Sequence, residues 1–246
     1  MPRALVIAAI AFTGTMLGSL SGGSTSVLTT PSWVALGFPL PVAIGADKIA
    51  GAFWTLLGSR NYLRRSTPDG RLALGMVIFG LGGVVLGTLA TANLPPGPLQ
   101  RVVGGIIVAV VIVVALRPRL GVEAGPPRLS RRTTVAASVP FGFYEGLLGS
   151  GNSIFVTLLL AGGRGLDLPR ALGHYYLVAS AWCALAAVSY AAQGYFDPGL
   201  AVPATLGAIA GGYLGSRIGA RRGAPFVKVV FVLAGVILGG KLLLGR

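Results

Sequence analysis

The stretch "GSLSGGSTS", Gly18 to Ser26, interrupts an apolar run that begins at Leu5 and resumes at Val27. How these nine small, mostly polar residues are read decides the fold. The chain has 246 residues, 54% of them hydrophobic and only 11% charged, a balance foreign to water-soluble domains. It reads as an integral membrane protein. Apolar stretches at 42–59, 72–92, 102–116, 171–192, 200–216 and 226–244 approach or reach the ~20 residues that a helix needs to cross a hydrocarbon core. Two further apolar regions, 5–36 and 133–163, are each broken near the middle by glycine and hydroxyl residues.

A net charge of +14 would suggest nucleic acid in a soluble domain. Here the arginines cluster in short loops between apolar segments, as the positive-inside rule predicts, so nucleic acid is not expected as a partner. Cys183 is the single cysteine and lies in an apolar run, which excludes an intrachain disulfide and makes it a small core residue. The N-terminal Met1-Pro-Arg3 followed by apolar residues resembles a signal peptide, but a repeat that includes this region argues that it is retained.

Sliding the sequence against itself by 128 residues aligns 14–45 with 142–173 without a gap, and ten of the 32 positions are identical. Composition alone gives about three, so the chain is duplicated. The same offset pairs Gly83 with Gly211 and Gly87 with Gly215, a Gly-x-x-x-Gly face suited to close helix packing in both halves. Equivalent loops carry opposite charge. The loop from Arg60 to Arg71 holds four arginines, and its counterpart at 188–199 has no basic residue. The segment 91–101 has only Arg101, and its counterpart around 219–229 holds Arg221, Arg222 and Lys228. The halves are therefore expected to be inverted.

Inversion needs an odd number of crossings per half, which three full crossings satisfy if the broken segment enters and leaves on one side. Residues 5–19 and 23–36 are each about 15 long, about 22 Å as helix and short of a ~30 Å core. The expected fold is an all-α integral membrane protein of two inverted-topology repeats, each a broken or re-entrant helical hairpin plus three membrane-crossing helices. Residues 1–116 form the first repeat, 117–132 a cytoplasmic linker and 133–246 the second repeat. The main basic loops then face the cytoplasm and both termini face outward. Two short spanning helices per hairpin, ten crossings in all, satisfy the same charge rule.

Non-helical backbone at membrane depth must be buried in protein or line a wet cavity. At the first tip, Gly22 and Gly23 permit the turn, and Ser24, Thr25 or Ser26 can cap the next half-helix. At the second tip, in "GLLGSGNSI", Ser150, Gly151, Asn152 and Ser153 occupy the same places. Free N–H groups with the hydroxyls of Ser21, Ser24, Thr25, Ser150 and Ser153 and the amide of Asn152 would make a donor-rich site for a small anion; the alternative is that hydroxyls and glycines only cap and pack a tight turn. Asp47 and Lys48 are adjacent intramembrane charges, which mark a pathway or form a structural pair; Lys48 adds positive potential, and the equivalent Tyr175 and Tyr176 offer hydroxyls. Asp47, Glu145, one turn before the second tip, and His174, the single histidine, are candidates for proton coupling or for structural hydrogen bonding.

The order of a glycine-rich hairpin, "P…A.G….K", a second glycine-rich hairpin and "LPRALGHYYLVA" resembles the sulfite exporter TauE/SafE family along essentially the whole chain. The resemblance implies a multi-pass carrier of the bacterial plasma membrane that moves sulfite, sulfoacetate or related sulfur anions, generally outward. It places the family's paired motifs on 18–31 and 146–157 and on the helix starts at 43–48 and 171–176. Where many members have a run of glycines at the first tip, Ser19, Ser21 and Ser24 stand here.

An anion leaving a negative cytoplasm gains about 2.3 kcal/mol per charge per 100 mV, so export needs no coupled ion. A passive anion channel with the same tips, or a proton-coupled uptake carrier, are the competing readings. An intramembrane serine protease would need Ser150 or Ser153 beside His174 in a different motif, and an enzyme is not expected. No cofactor or metal is implied. A homodimer is compatible with the sequence, which singles out no surface for it.

Overall fold

In the computed structural model, the residues described are 2–22, 25–64, 66–91, 105, 108, 112, 115–116 and 120–244. The expected crossing at 102–116 and tip residues Gly23 and Ser24 lie wholly or largely outside them. The described chain is helical: α1 (Pro2–Ser21), α2 (Ser26–Ala35), α3 (Leu40–Leu63), α4 (Gly70–Ala90), α5 (Arg131–Leu147), α6 (Asn152–Leu158) with a π-helical turn Leu159–Gly163, α7 (Leu168–Ala192) and α8 (Pro198–Leu244). Among the described residues, α1, α3, α4 and α7 are long and apolar enough to cross a membrane. Helix α8 is interrupted at Gly223 (φ 80°, ψ −176°), with Pro225 just beyond, and so divides into the two expected arms near 200–216 and 226–244.

The first hairpin has unequal arms, whereas the sequence lengths predict similar ones. Helix α1 runs for 20 residues, about 30 Å, and α2 for only 10, about 15 Å. The reason is that Gly18 and Ser19 stay helical. Ser19 is fully buried, its hydroxyl donates to the Met16 carbonyl, and the turn waits until Gly22 at φ 67°. In the second hairpin, α5 has 17 residues and the apolar helical piece beyond the turn is Asn152–Gly163. Its tip turns through Gly149 and Gly151, at φ 72° and 85°.

Helix α1 packs along α8, α5 along α4, and α3 between α7 and α8; α4 also lies on α7. The glycine faces make this possible. A Cβ at Gly211 or Gly215 would meet the carbonyl of Phe12 or Met16 on α1, and one at Gly83 or Gly87 the carbonyl of Val139 or Phe143 on α5. Helices related by the 128-residue offset thus pair alike in each half. The stripe Ile7, Ala11, Thr15 and Ser19 is the buried face of α1. The large apolar residues left exposed, such as Leu5, Phe53, Ile78, Phe79, Leu206 and Val229, are spread over the outer faces of the bundle, as lipid contact requires. Segment 120–130 lies over the end of the second hairpin, where Arg128 and Leu129 N–H donate to the Gly163 carbonyl at 2.8 Å.

Candidate functional site

Helix α3 begins after Phe38-Pro39 and carries Asp47 and Lys48 at successive positions, which a 100° step per residue turns to different neighbours. Asp47, half-buried, faces α2. It accepts from Thr29 Oγ1 at 2.9 Å, Thr30 Oγ1 at 2.5 Å and Trp33 Nε1 at 2.9 Å. The short arm of the first hairpin is therefore fastened to α3 by one carboxylate. Lys48 faces the other half. Its Nζ lies 2.7 Å from Glu145 Oε1 on α5, and both residues are 4% exposed.

Glu145 is the hub of the site. Its Oε2 accepts from Asn152 Nδ2 at 2.7 Å and from the Tyr175 hydroxyl at 3.2 Å, and Cys183 Sγ lies 3.5 Å from Oε1. A buried carboxylate needs this many donors, because loss of its hydration is repaid only by close, well-aligned partners. Gly151 supplies the left-handed turn that brings Asn152, the first residue of α6, back over α5. Asn152 Nδ2 also donates to the Phe141 carbonyl at 3.1 Å, which leaves Asn152 Oδ1 buried and without a protein partner.

Beside the ion pair is a cavity of about 40 Å³ lined by both hairpins and both central helices: Thr25 and Ser26, Asp47, Lys48 and Thr55, Glu145 and Ser153, Tyr175 and Cys183 among them. It has room for a small anion or a few waters. Ser153 Oγ is buried against it with no hydrogen-bond partner. The lining holds two carboxylates and one ammonium, and the ammonium is already paired. An anion gains a cation here only by displacing Glu145.

Of the residues singled out in the sequence, Thr25, Asp47, Lys48, Glu145, Ser153 and Tyr175 line this cavity, and Asn152 joins it through Glu145. Gly22 turns the first tip against Leu172, and Gly151 caps α6. The Ser150 carbonyl accepts from the Tyr144 hydroxyl at 2.5 Å, a hydrogen bond that fixes the turn. Ser21 ends α1, while Gly23 and Ser24 are outside the described residues. Thr25 makes no side-chain cap, because its backbone is already helical at φ −64°, ψ −38°. At the second tip the Asn152 and Ile154 N–H groups donate to the Gly149 and Gly151 carbonyls, so side chains supply more of the donors than the sequence suggests.

His174 is not brought to the cavity. Its Nε2 accepts the Asp69 N–H at 3.0 Å and its Nδ1 lies 2.8 Å from the Arg170 carbonyl, so the ring ties α7 to the loop before α4. Tyr176, expected to offer a hydroxyl, also lines the cavity, as do Trp54, Thr55 and Cys183, which were not expected to. Helical spacing carried the signal: Thr55 stands seven residues after Lys48, and Cys183 eight after Tyr175, each on its helix's inward face. Among the described residues no three His, Cys, Asp or Glu side chains converge as metal ligands do.

The family model described as sulfite exporter TauE/SafE matches residues 6–242. The chain belongs to this family. As a TauE/SafE member it is a membrane transporter, in line with its apolar helices. Its relatives include a probable membrane transporter protein, ORF9, of a Sinorhizobium species, 25% identical over 95% of this chain and 89% of the relative. A probable membrane transporter protein of Haemophilus influenzae is 24% identical over 96% and 93%, and YjnA of Bacillus subtilis, also a probable membrane transporter protein, is 25% identical over 92% and 93%. No solved structure matches this TauE/SafE chain.

Proposed function

We propose that this transporter carries a small sulfur-containing oxyanion, sulfite or an organosulfonate such as sulfoacetate, out of the bacterial cytoplasm by alternating access. The observation that carries the reading is the Lys48–Glu145 pair beside a small cavity lined by both hairpins, with the Ser153 hydroxyl unpartnered. A sulfonate or sulfite oxygen replaces Glu145 at Lys48 Nζ and takes the hydroxyls of Ser153, Tyr175 and Thr25 as further donors. The two halves, inverted about the membrane plane, then rock around a site near the midplane. The membrane potential drives the anion outward.

The same ion pair favours one refinement, proton coupling. When the anion takes Lys48, Glu145 is left buried without its cation, and a carboxylate so placed takes up a proton. Anion binding is then linked to protonation of Glu145.

The test is reconstitution in liposomes with labelled sulfite, thiosulfate, sulfoacetate and sulfate under imposed voltage and pH gradients. Saturable, voltage-driven flux of a sulfur anion is expected. Unsaturable flux at channel rates would make the protein a channel, flux indifferent to pH would remove the proton, and absence of flux for all four anions would remove the substrate class. For the inverted topology, cysteines introduced in 60–71 and 188–199 should be labelled from opposite sides of the membrane, the first from the cytoplasm. Labelling from the same side defeats the inversion.

A further inference from the structure

A second cavity, of about 400 Å³, opens where α3 ends, lined by Asn61, Tyr62, Arg64, Arg217, Ala220 and Arg221. Arg64, Arg217 and Arg221 are exposed, no acidic residue lines the opening, and none of the three arginines is ion-paired among the described residues. Arg217 rests on its own helix, with its guanidinium 5.8 Å from the Tyr213 ring centre. The floor is Tyr62, 5% exposed, whose hydroxyl donates to the Ser19 carbonyl at 2.9 Å, just before the first tip. Tyr62 packs on Tyr176 with ring centres 5.9 Å apart, and Tyr176 packs on Trp54 at 4.9 Å. Tyr176 and Trp54 are walls of the central cavity. This aromatic stack runs from the basic opening to the walls of the cavity beside Lys48.

The 128-residue offset provides an internal control. Tyr190 stands where Tyr62 does and donates its hydroxyl to the Gly146 carbonyl at 2.9 Å. Ser189 and Thr88 share a hydrogen bond of 2.6 Å where Asn61 donates to Ser216 at 2.8 Å. These hydrogen bonds are alike in the two halves, yet the positions equivalent to Arg64, Arg217 and Arg221 are Ala192, Leu89 and Asn93 in the sequence. The positive-inside rule asks for basic residues in the loops on one side; it does not ask three of them, from two helices, to line a single opening over Tyr62.

We propose that this opening is an anion-loading vestibule, in which Arg64, Arg217 and Arg221 concentrate the transported oxyanion above a gate formed by Tyr62 and Tyr176. The inference rests on the anion-transport reading above and adds the route by which the anion arrives. A focused positive field raises the encounter rate of an anion by 10-fold to 1,000-fold at low ionic strength and loses its reach as salt is added.

The experiment is sulfite and sulfoacetate flux in liposomes of neutral lipid, below saturation, for the wild type and the triple variant R64Q/R217Q/R221Q. Both are measured at about 0.02 M and about 1 M of a salt that is not carried. At low salt the variant should lose about ten-fold in flux; at high salt the two should coincide. The triple lysine variant should restore most of the flux and its salt dependence, and thermal unfolding in detergent should separate a damaged fold from a lost field. Equal flux and equal salt dependence in variant and wild type overturn the vestibule while leaving transport intact. Wild-type protein that moves neither anion overturns both. A defect that appears only when phosphatidylglycerol is added to the vesicles assigns the arginines to a lipid headgroup, and that too overturns the proposal.

Discussion

Lys48 and Glu145 are 97 residues apart in the chain and 2.7 Å apart in the fold, and their contact joins the first half of the protein to the second. Breaking a buried pair leaves one uncompensated charge and costs about 3–5 kcal/mol, more than removing both partners together. Lys48→Met and Glu145→Gln should therefore each lower the unfolding temperature in detergent, and the double variant should recover part of the loss. Transport should stay abolished in all three. Wild-type flux in the double variant would show that the pair is only a structural strut.

Ser153 Oγ is buried without a partner, so its removal relieves a desolvated hydroxyl and sacrifices no protein hydrogen bond. Ser153→Ala should leave thermal stability unchanged or slightly raised and weaken the apparent affinity for the anion by several-fold. A stability loss of more than about 1 kcal/mol would mean that the hydroxyl has a structural partner instead.

Asp47 holds α2 through Thr29, Thr30 and Trp33. Hydrogen bonds to a charged acceptor contribute about 1.5–3 kcal/mol each, and an amide keeps part of that. Asp47→Asn should lower stability by about 2 kcal/mol and speed protease cleavage or hydrogen exchange in 25–36 more than elsewhere. Uniform exchange along the chain would detach Asp47 from the hairpin.

Gly87 and Gly215 are equivalent, and a Cβ at either would fall against a carbonyl, of Phe143 or of Met16. Alanine at each should push its helix pair apart and destabilise the protein by about 1–3 kcal/mol, comparably in the two halves. Tolerance at both positions would show that the helices do not meet on these faces.

Asp69 lies outside the membrane segments. Partial desolvation raises its carboxyl, but the Leu72 N–H and the Arg131 guanidinium, 3.1 Å away, outweigh it and hold the group below its ordinary value of 3.8. With the folded-state value lowered, the stabilisation is complete above 3.8 and disappears as pH falls through the lowered value. Asp69→Asn, which keeps the cap on α4 and loses the charge, should be less stable than wild type by about 0.5 kcal/mol at pH 6 and equal to it in strong acid. A stability gap that persists in acid would assign the effect to the cap.

Much of this was legible in the residues. Hydropathy, loop charge and the 128-residue repeat are one-dimensional properties, set by the solvent that each segment meets, and they foretold an all-helical membrane protein with two tips and with Lys48, Glu145 and Tyr175 among its polar interior. The unequal hairpin was hidden because Gly18 and Ser19 are ambiguous alone. Both weaken a helix in water, and both are accommodated in α1 because Gly215 lets the two backbones close over Ser19.

Pairing was decided only by the tertiary structure. Asp47 and Lys48 are neighbours in sequence, and adjacency left a mutual ion pair open; the helix turns one to Trp33 and the other to Glu145. His174 looked equivalent in promise to Tyr175, and the same 100° step sent it to Asp69 instead of the cavity. A sequence specifies which groups must leave water, because that depends on the local run of residues. It leaves open which groups meet there, because hydrogen bonds and ion pairs are short-ranged and their partners are chosen only when helices from the two halves have docked.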